Sequence, residues 1–291
     1  IVEIVCGADN LSKEMKVVFA PSGSIMPETN IKLKKTKIRG VVSNGMLCSE
    51  RELCISDEHN GIIELEKDSE IGSEASLYLN NLDPVIEIAI TPNRQDCLGV
   101  RGIARDLAAK KIGELKNLSI KEIQGDFDSP INVEIDSDSN KSCSLFLGRY
   151  FKGVKNVESP DWLQERLNSI GLKPISALVD ITNYITFDLC RPLHVFDADN
   201  LNGDLSIRQS KKDEEVITLD DKKYQLDNAC TVIVDDSGII SLAGIMGGMK
   251  TGSTIETKNV FLESALFDPI AVAKTGRHYG IDSDARYRFE R

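Results

Sequence analysis

Short β-branched runs, cut repeatedly by turn-forming residues, constrain the fold of this chain more than any other feature. In the first roughly 80 residues, IVEIVCG, KVVFA, IKLKKTKIRGVV and GIIEL are each bounded by Gly, Pro, Asn or Asp. β-branched side chains suit a pleated backbone and turn residues interrupt it, so several short strands are predicted. A small barrel such as an OB-fold is built this way. From about residue 130 onward, short strands mix with a few helices, and hairpin-like pairs lie around EEVITLDDKKYQL and TVIVDDSGIISLAG. There is no βαβ alternation to suggest a doubly wound parallel sheet, so the fold class expected is α+β.

Two helices can be placed. In the first, Ser159 stands as N-cap with Pro160 at the first helical position. Trp162, Leu163, Leu167 and Ile170 share one side, and Gly171 ends the helix. The other follows a strand in EIAI and a turn at Thr91-Pro92-Asn93. Asp96 is its candidate cap, Leu98, Ile103 and Leu107 recur along it, and Lys110, Lys111 and Gly113 close it. Arg101 and Arg105, four apart, share a face of this helix. The charged stretch Lys121 to Pro130 reads as a linker.

With 291 residues, 41% hydrophobic and 28% charged, the chain is long enough for two domains and a sizeable core. It has no apolar run of about 18 residues and no secretory signal pattern, so neither a membrane span nor secretion is expected. It begins at Ile1 and stops at Arg291 inside what reads as a continuing segment, which predicts a piece of a longer protein. The seven cysteines form no CxxC pair and only three histidines exist, so no structural zinc site is expected and reduced, cytoplasmic thiols are. A net charge of −11 argues against broad coating of nucleic acid, but not against a local contact. Lys32, Lys34, Lys35, Lys37 and Arg39 form the one dense basic strip. It is either a solvated strand face or a phosphate-tracking edge; Phe19 is the nearest aromatic for stacking.

Chemistry concentrates in the last third. In VDITNYITFDLCRPLHVFD, Val179 to Asp197, Thr182 and Asn183 precede His194 among apolar residues. Polar groups embedded in core-forming sequence make a candidate pocket, although a satisfied core histidine and local turn bonding fit the same residues. Gly244 to Thr251 approaches a P-loop, but Met249 stands where glycine is required and the βαβ context is missing. A tight turn whose bare glycines Gly244 and Gly247 let a ligand approach is the better reading. Glu263 ends the apolar run Val260 to Leu262. A carboxylate there is costly unless paired or used, and strand alternation could instead turn it to solvent.

The wording of these segments is more specific than their chemistry. Val179 to Asp197 closely resembles the B3/B4 domain of bacterial phenylalanyl-tRNA synthetase beta subunits, a module that hydrolyses mischarged tyrosyl-tRNA. IVCGADN, KLKKTKIRG and SNGMLCSERELCISDEHNGIIEL resemble the EMAP-II-like, tRNA-binding OB domain of the same subunit, and TPNR with DCL and RGIARDLAA resembles part of its B1 region. The resemblance implies three parts: residues 1–80 as a tRNA-binding OB-fold, 81–129 as B1 and linker, and 130–291 as the B3/B4 editing domain. In that family a strand pair precedes the point where this chain starts, which implies an incomplete barrel.

The same resemblance assigns roles. Gly247, and secondarily Gly244, would line the pocket, with Ala285 leaving room for an aromatic ring. Glu263 would take the tyrosine hydroxyl, a distinction that a buried polar site can make by a factor of about 10⁴. His194, Asn183 and Ser283 would fix the aminoacyl end, with Thr182 beside them, and Ser283 stands where the family often carries threonine. GIDSDARYRFER, from Gly280, resembles the strand that closes the pocket. The basic strip would contact tRNA(Phe). The full enzyme implied is an α2β2 ligase using ATP and Mg²⁺, its synthetic site on the alpha subunit and its metal ligands outside this chain, leaving no cofactor here. A non-catalytic RNA-binding scaffold with a degenerate pocket is the competing reading.

Overall fold

The computed structural model describes residues 1–56, 58–79, 85–139 and 141–291. They fall into two compact units, Ile1–Val85 and Ile86–Arg291. The expected boundary at 80/81 lies outside the described residues.

Among its described residues the first unit carries six short strands: β1 Lys16–Val17, β2 Phe19–Pro21, β3 Thr36–Ile38, β4 Val41–Ser43, β5 Gly45–Leu47 and β6 Glu64–Leu65. They pair antiparallel as β1–β6, β2–β5 and β3–β4. Among the described residues these ladders are separate and no closed barrel forms. β3 and β4 make a hairpin whose two turn residues, Arg39 and Gly40, both have positive φ, +47° and +90°. That turn matches the right-handed twist of the flanking strands. IVEIVCG, expected as a strand, makes no ladder: Val5 N–H donates to the Ser43 hydroxyl at 3.1 Å instead. Val18, Met26 and Cys48 form the small core, with Leu33, Leu53 and Ile63 packed around it.

The second unit is α+β. The expected strand in EIAI has no ladder partner among the described residues; the turn after it does form, with Arg94 N–H donating to the Thr91 carbonyl. α1 (Val100–Ala109) then begins at Gly99, not Asp96. The Asp96 carboxylate is held by Arg94 and Arg105, so it cannot serve as a cap. Next come β7 (Val133–Ile135), β8 (Cys143–Phe151), α2 (Asp161–Ser169) and α3 (Ala177–Leu189). Ser159 does not cap α2 either, because its hydroxyl donates to the buried Asp180 carboxylate of α3 at 2.5 Å. Leu163 and Leu167 face inward from α2, whereas Trp162 and Ile170 remain exposed.

The remaining elements are β9 (His194–Asp197), β10 (Leu205–Gln209), β11 (Glu215–Ile217), β12 (Lys223–Gln225), β13 (Thr231–Asp235), β14 (Gly238–Leu242), β15 (Met246–Gly247), β16 (Val260–Phe267), α4 (Pro269–Tyr279) and α5 (Asp284–Phe289). One sheet runs β15-β14-β13-β10-β7, with only β10–β7 parallel; a second runs β8-β16-β9, wholly antiparallel. β11 and β12 form a separate hairpin. Phe196, Phe261, Ala265 and Phe267 of the three-stranded sheet share one core with Leu205, Ile207, Val232, Ile233 and Leu242 of the five-stranded sheet. The two sheets therefore bury their apolar faces against each other, which is what fixes the register of β16.

Candidate functional site

The period of two along β16 decides where its carboxylate goes. Phe261, Glu263, Ala265 and Phe267 are all buried, while Leu262, Ser264 and Leu266 between them are less so. Glu263 is thus on the core face of the central strand, 6% exposed, with neighbours on both sides. Opposite it stand His194 on β9 and Gly148 on β8. Cross-strand partners sit with Cβ atoms about 5 Å apart, so His194 and Glu263 are direct neighbours on one face.

Two glycines make this arrangement fit. A Cβ at Gly247 on β15 would lie 2.7 Å from His194 Nε2, so the imidazole occupies the space that a side chain there would need. A Cβ at Gly148 would lie 2.9 Å from Phe261 Cε1, so that ring lies over the bare backbone of β8. His194 also meets the Phe196 ring edge-on, with centroids 4.4 Å apart. Gly148, Phe196 and Phe261 were not foreseen as part of the site. A glycine inside the β-rich run CSLFLGRYF is the signal that could have found the first, since strand glycines often mark a close approach.

The pair is polar and poorly satisfied. His194 Nε2 is sealed from solvent without a hydrogen-bond partner among the described residues. The Glu263 carboxylate has no hydrogen bond or ion pair among them either, and Cys143 is the one group whose thiol feels its charge, with burial the larger effect on that thiol. Burial without a partner disfavours the charged form of each. It pushes Glu263 up to about 8 and His194 down to about 4, so at neutral pH the imidazole is neutral.

The other expected site residues are placed as follows. Thr182 and Asn183 lie inside α3, not in a turn; the Thr182 hydroxyl donates to the Val179 carbonyl at 2.7 Å, and the half-buried Asn183 amide has no partner among the described residues. Gly244, at φ +71°, turns the chain between β14 and β15, and its bare Cα packs against Phe267 and Val272, away from His194. The segment from Gly280, expected as a strand, is instead α5. Ser283 is its N-cap, accepting from Arg286 N–H at 3.1 Å and donating to the Ile245 carbonyl at 2.7 Å. A side-chain cap followed by residues able to form i,i+4 pairs favours helix over strand here, and Arg288–Asp284 and Arg286–Glu290 are those pairs. Ser283 thereby ties α5, which carries Ala285, to the turn that leads into β15 and Gly247. Arg288 then stacks over Phe187 of α3, 4.1 Å from the ring centroid, linking α5 to the helix of Thr182 and Asn183.

In the first unit, Lys32, Lys34, Lys35, Lys37 and Arg39 are all exposed on and around the β3–β4 hairpin. Lys32 and Lys34 also border a cleft of about 1160 Å³, together with Arg51, Glu28 and Glu52. No ion pair engages the strip among the described residues, so its charge is free for a polyanion. For a metal, the described residues offer Asp96, Cys97 and Asp106, whose ligand atoms lie within 4.8 Å of one another. Arg94 bonds both carboxylates and Arg105 bonds Asp96, so cations already occupy the group and it does not fit a Mg²⁺ site.

The unit that carries the buried acid-imidazole pair matches a known domain. Residues 142–291 match the B3/4 domain, and the chain belongs to that family. Residues 1–74 match a family described as a tRNA binding domain. Over its whole length the chain is similar to phenylalanine–tRNA ligase beta subunits, as the sequence resemblance implies. It is 55% identical over 291 residues to that of Cereibacter sphaeroides, covering 100% of this chain and 36% of the relative. It is also 55% identical over 294 residues to that of Rhodospirillum rubrum, covering 100% and 37%. The chain therefore spans little more than a third of the length of these relatives.

Proposed function

We propose that the second unit hydrolyses the ester of mischarged tyrosyl-tRNA(Phe), and that the first unit contributes tRNA contact through Lys32, Lys34, Lys35, Lys37 and Arg39. The observation that carries this reading is Glu263: a core carboxyl without a protein partner, facing an imidazole that also lacks one. Natural cores seldom keep such a group unless a ligand completes it. A tyrosine ring entering beside Gly247 and Ala285 would bring its hydroxyl to Glu263, and phenylalanine would leave that group unpaired.

The reaction needs little acid-base help. An aminoacyl ester is already activated, so attack requires chiefly a positioned water. The water oxygen bonds to the ester carbonyl carbon, the carbon–ribose oxygen bond breaks, and the water proton ends on the ribose oxygen. His194, near 4, is too weak a base to hold that proton at neutral pH. Its role is to orient the aminoacyl end, together with Asn183. Ser283 acts through the turn it fastens, and Thr182 by setting the local geometry of α3. Synthesis of phenylalanyl-tRNA with ATP and Mg²⁺, and pairing with an alpha subunit in the cytoplasm, belong in this reading to the longer protein. The test is deacylation of tyrosyl-tRNA(Phe) by the assembled synthetase with Glu263→Ala, phenylalanyl-tRNA serving as control. Tyrosine release that collapses in the variant supports the reading; wild-type release at the spontaneous rate leaves only a scaffold.

A further inference from the structure

Glu263 differs from an ordinary recognition carboxylate in what surrounds it. On β9 it faces His194, whose Nε2 is sealed and unpartnered. On β8 it faces Gly148, which brings no side chain, and Cys143 further along is fully buried. Arg149 is paired with Leu262 in the ladder and so points to the opposite face, where it donates to the Ile123 carbonyl at 2.7 Å. Arg191 reaches the Ala265 carbonyl, at 3.4 Å, and not the acid two residues away. On α5, which meets β16 through Phe289 and Phe267, Arg286 is paired with Glu290 and Arg288 with Asp284. Among the described residues, each of these guanidinium groups is committed elsewhere, and no ion pair reaches Glu263. Its carboxyl oxygens are not among the sealed unpartnered atoms, and the residue keeps 6% of its surface exposed.

From this geometry we propose that Glu263 keeps its proton at neutral pH before a ligand binds and reads a ligand hydroxyl as a neutral donor and acceptor. An isolated carboxylate in an apolar site is costly enough that the group neutralises instead. The protonated acid offers O–H and C=O side by side. A phenol can donate to the carbonyl and accept from the acid proton, whereas a carboxylate could only accept. Phenylalanine would leave both groups of the acid unmatched, which sharpens rejection beyond what a lone acceptor achieves. The ligand side of this inference rests on the proposed function; the location of the proton does not. The upward shift of Glu263 by burial is in the same direction.

Glu263→Gln is the discriminating variant, because an amide also presents a donor beside an acceptor and cannot ionise. Infrared difference spectra, wild type minus Glu263→Gln in the full-length subunit with its partner subunit, locate the proton without reference to activity. The expected result is a protonated-acid carbonyl band at pH 6.5, replaced by carboxylate bands at pH 9.5. In deacylation of tyrosyl-tRNA(Phe) at pH 6.5, Glu263→Gln stays within about threefold of wild type while Glu263→Ala loses about 100-fold or more. With the spontaneous rate subtracted, wild type then declines above about pH 8 relative to Glu263→Gln. Carboxylate bands at pH 6.5, or a Gln variant as impaired as Ala, overturn the proposal. Wild-type hydrolysis no faster than the spontaneous rate overturns the proposed function and the reading of the hydroxyl with it, whichever band is present.

Discussion

Asp96 and Glu263 are two carboxylates in one unit with opposite fates. Asp96 is exposed in the turn that precedes α1, where the side-chain hydrogen bond from Arg94, with Arg105 beside it, holds it well below the usual carboxylate range. Glu263 is buried between two strands with no ion pair among the described residues, and burial lifts it to about 8. The first is a satisfied surface network that fastens a turn to a helix. The second leaves polar capacity in the core without a protein partner among the described residues. Exposure and partner, more than residue type, separate a structural carboxylate from a recognition group.

The hardest blow to that contrast is Glu263→Ala, expected to lower tyrosyl-tRNA hydrolysis by about 100-fold or more in the assembled enzyme while leaving phenylalanyl-tRNA untouched. Next is Gly247→Ala. Its methyl group meets the His194 ring, and the overpacking is expected to destabilise the unit by about 1–3 kcal/mol in urea unfolding. An unchanged midpoint would show that the imidazole can move aside.

Stability against pH sharpens the comparison further. Glu263 binds a proton in the native state that the unfolded chain has released between pH about 4.5 and 8, so its contribution falls as pH rises through that window. His194 has the opposite sign: its native value near 4 lies below the unfolded 6.5, so its contribution rises with pH across that interval. Relative to wild type, Glu263→Gln should gain on the order of 3–4 kcal/mol between pH 5 and pH 8. A flat difference would mean that Glu263 is ionised at neutral pH. The smallest effect is expected from Asp96→Asn. Its network is solvated, so the melting midpoint should move by no more than about 2 °C, less with added salt, and ester hydrolysis should not change. A large loss of hydrolysis there would erase the distinction between the two sites.

Much of this is legible in the sequence. The α+β class follows from turn-cut β-branched runs, and the β3–β4 hairpin, with its Arg39-Gly40 turn, falls on one of them, IKLKKTKIRGVV, and ends one residue beyond it. The wording around His194 pointed to the B3/4 domain now matched. Local capping signals were less faithful: Ser159 and Asp96 look like N-caps, but a buried Asp180 and a pair of arginines bind them more strongly. The segment after Gly280 resembles a strand in wording and is a helix, because Ser283 caps it and its acids and arginines pair at i,i+4. Gly148 went unnoticed, since its function is visible only when Phe261 from another strand lies across it.

The sequence by itself determined which residues carry the chemistry and the period along which they lie. It could not determine which face of β16 turns inward, because an alternating strand reads equally well in either orientation. That choice belongs to the two sheets, which bury Phe261 and Phe267 and take Glu263 inside with them. Packing also set His194 against Gly247 and led every nearby arginine to another partner. A carboxyl's charge depends on such long-range neighbours and on exclusion of water, neither of which is encoded within a few residues of the group itself.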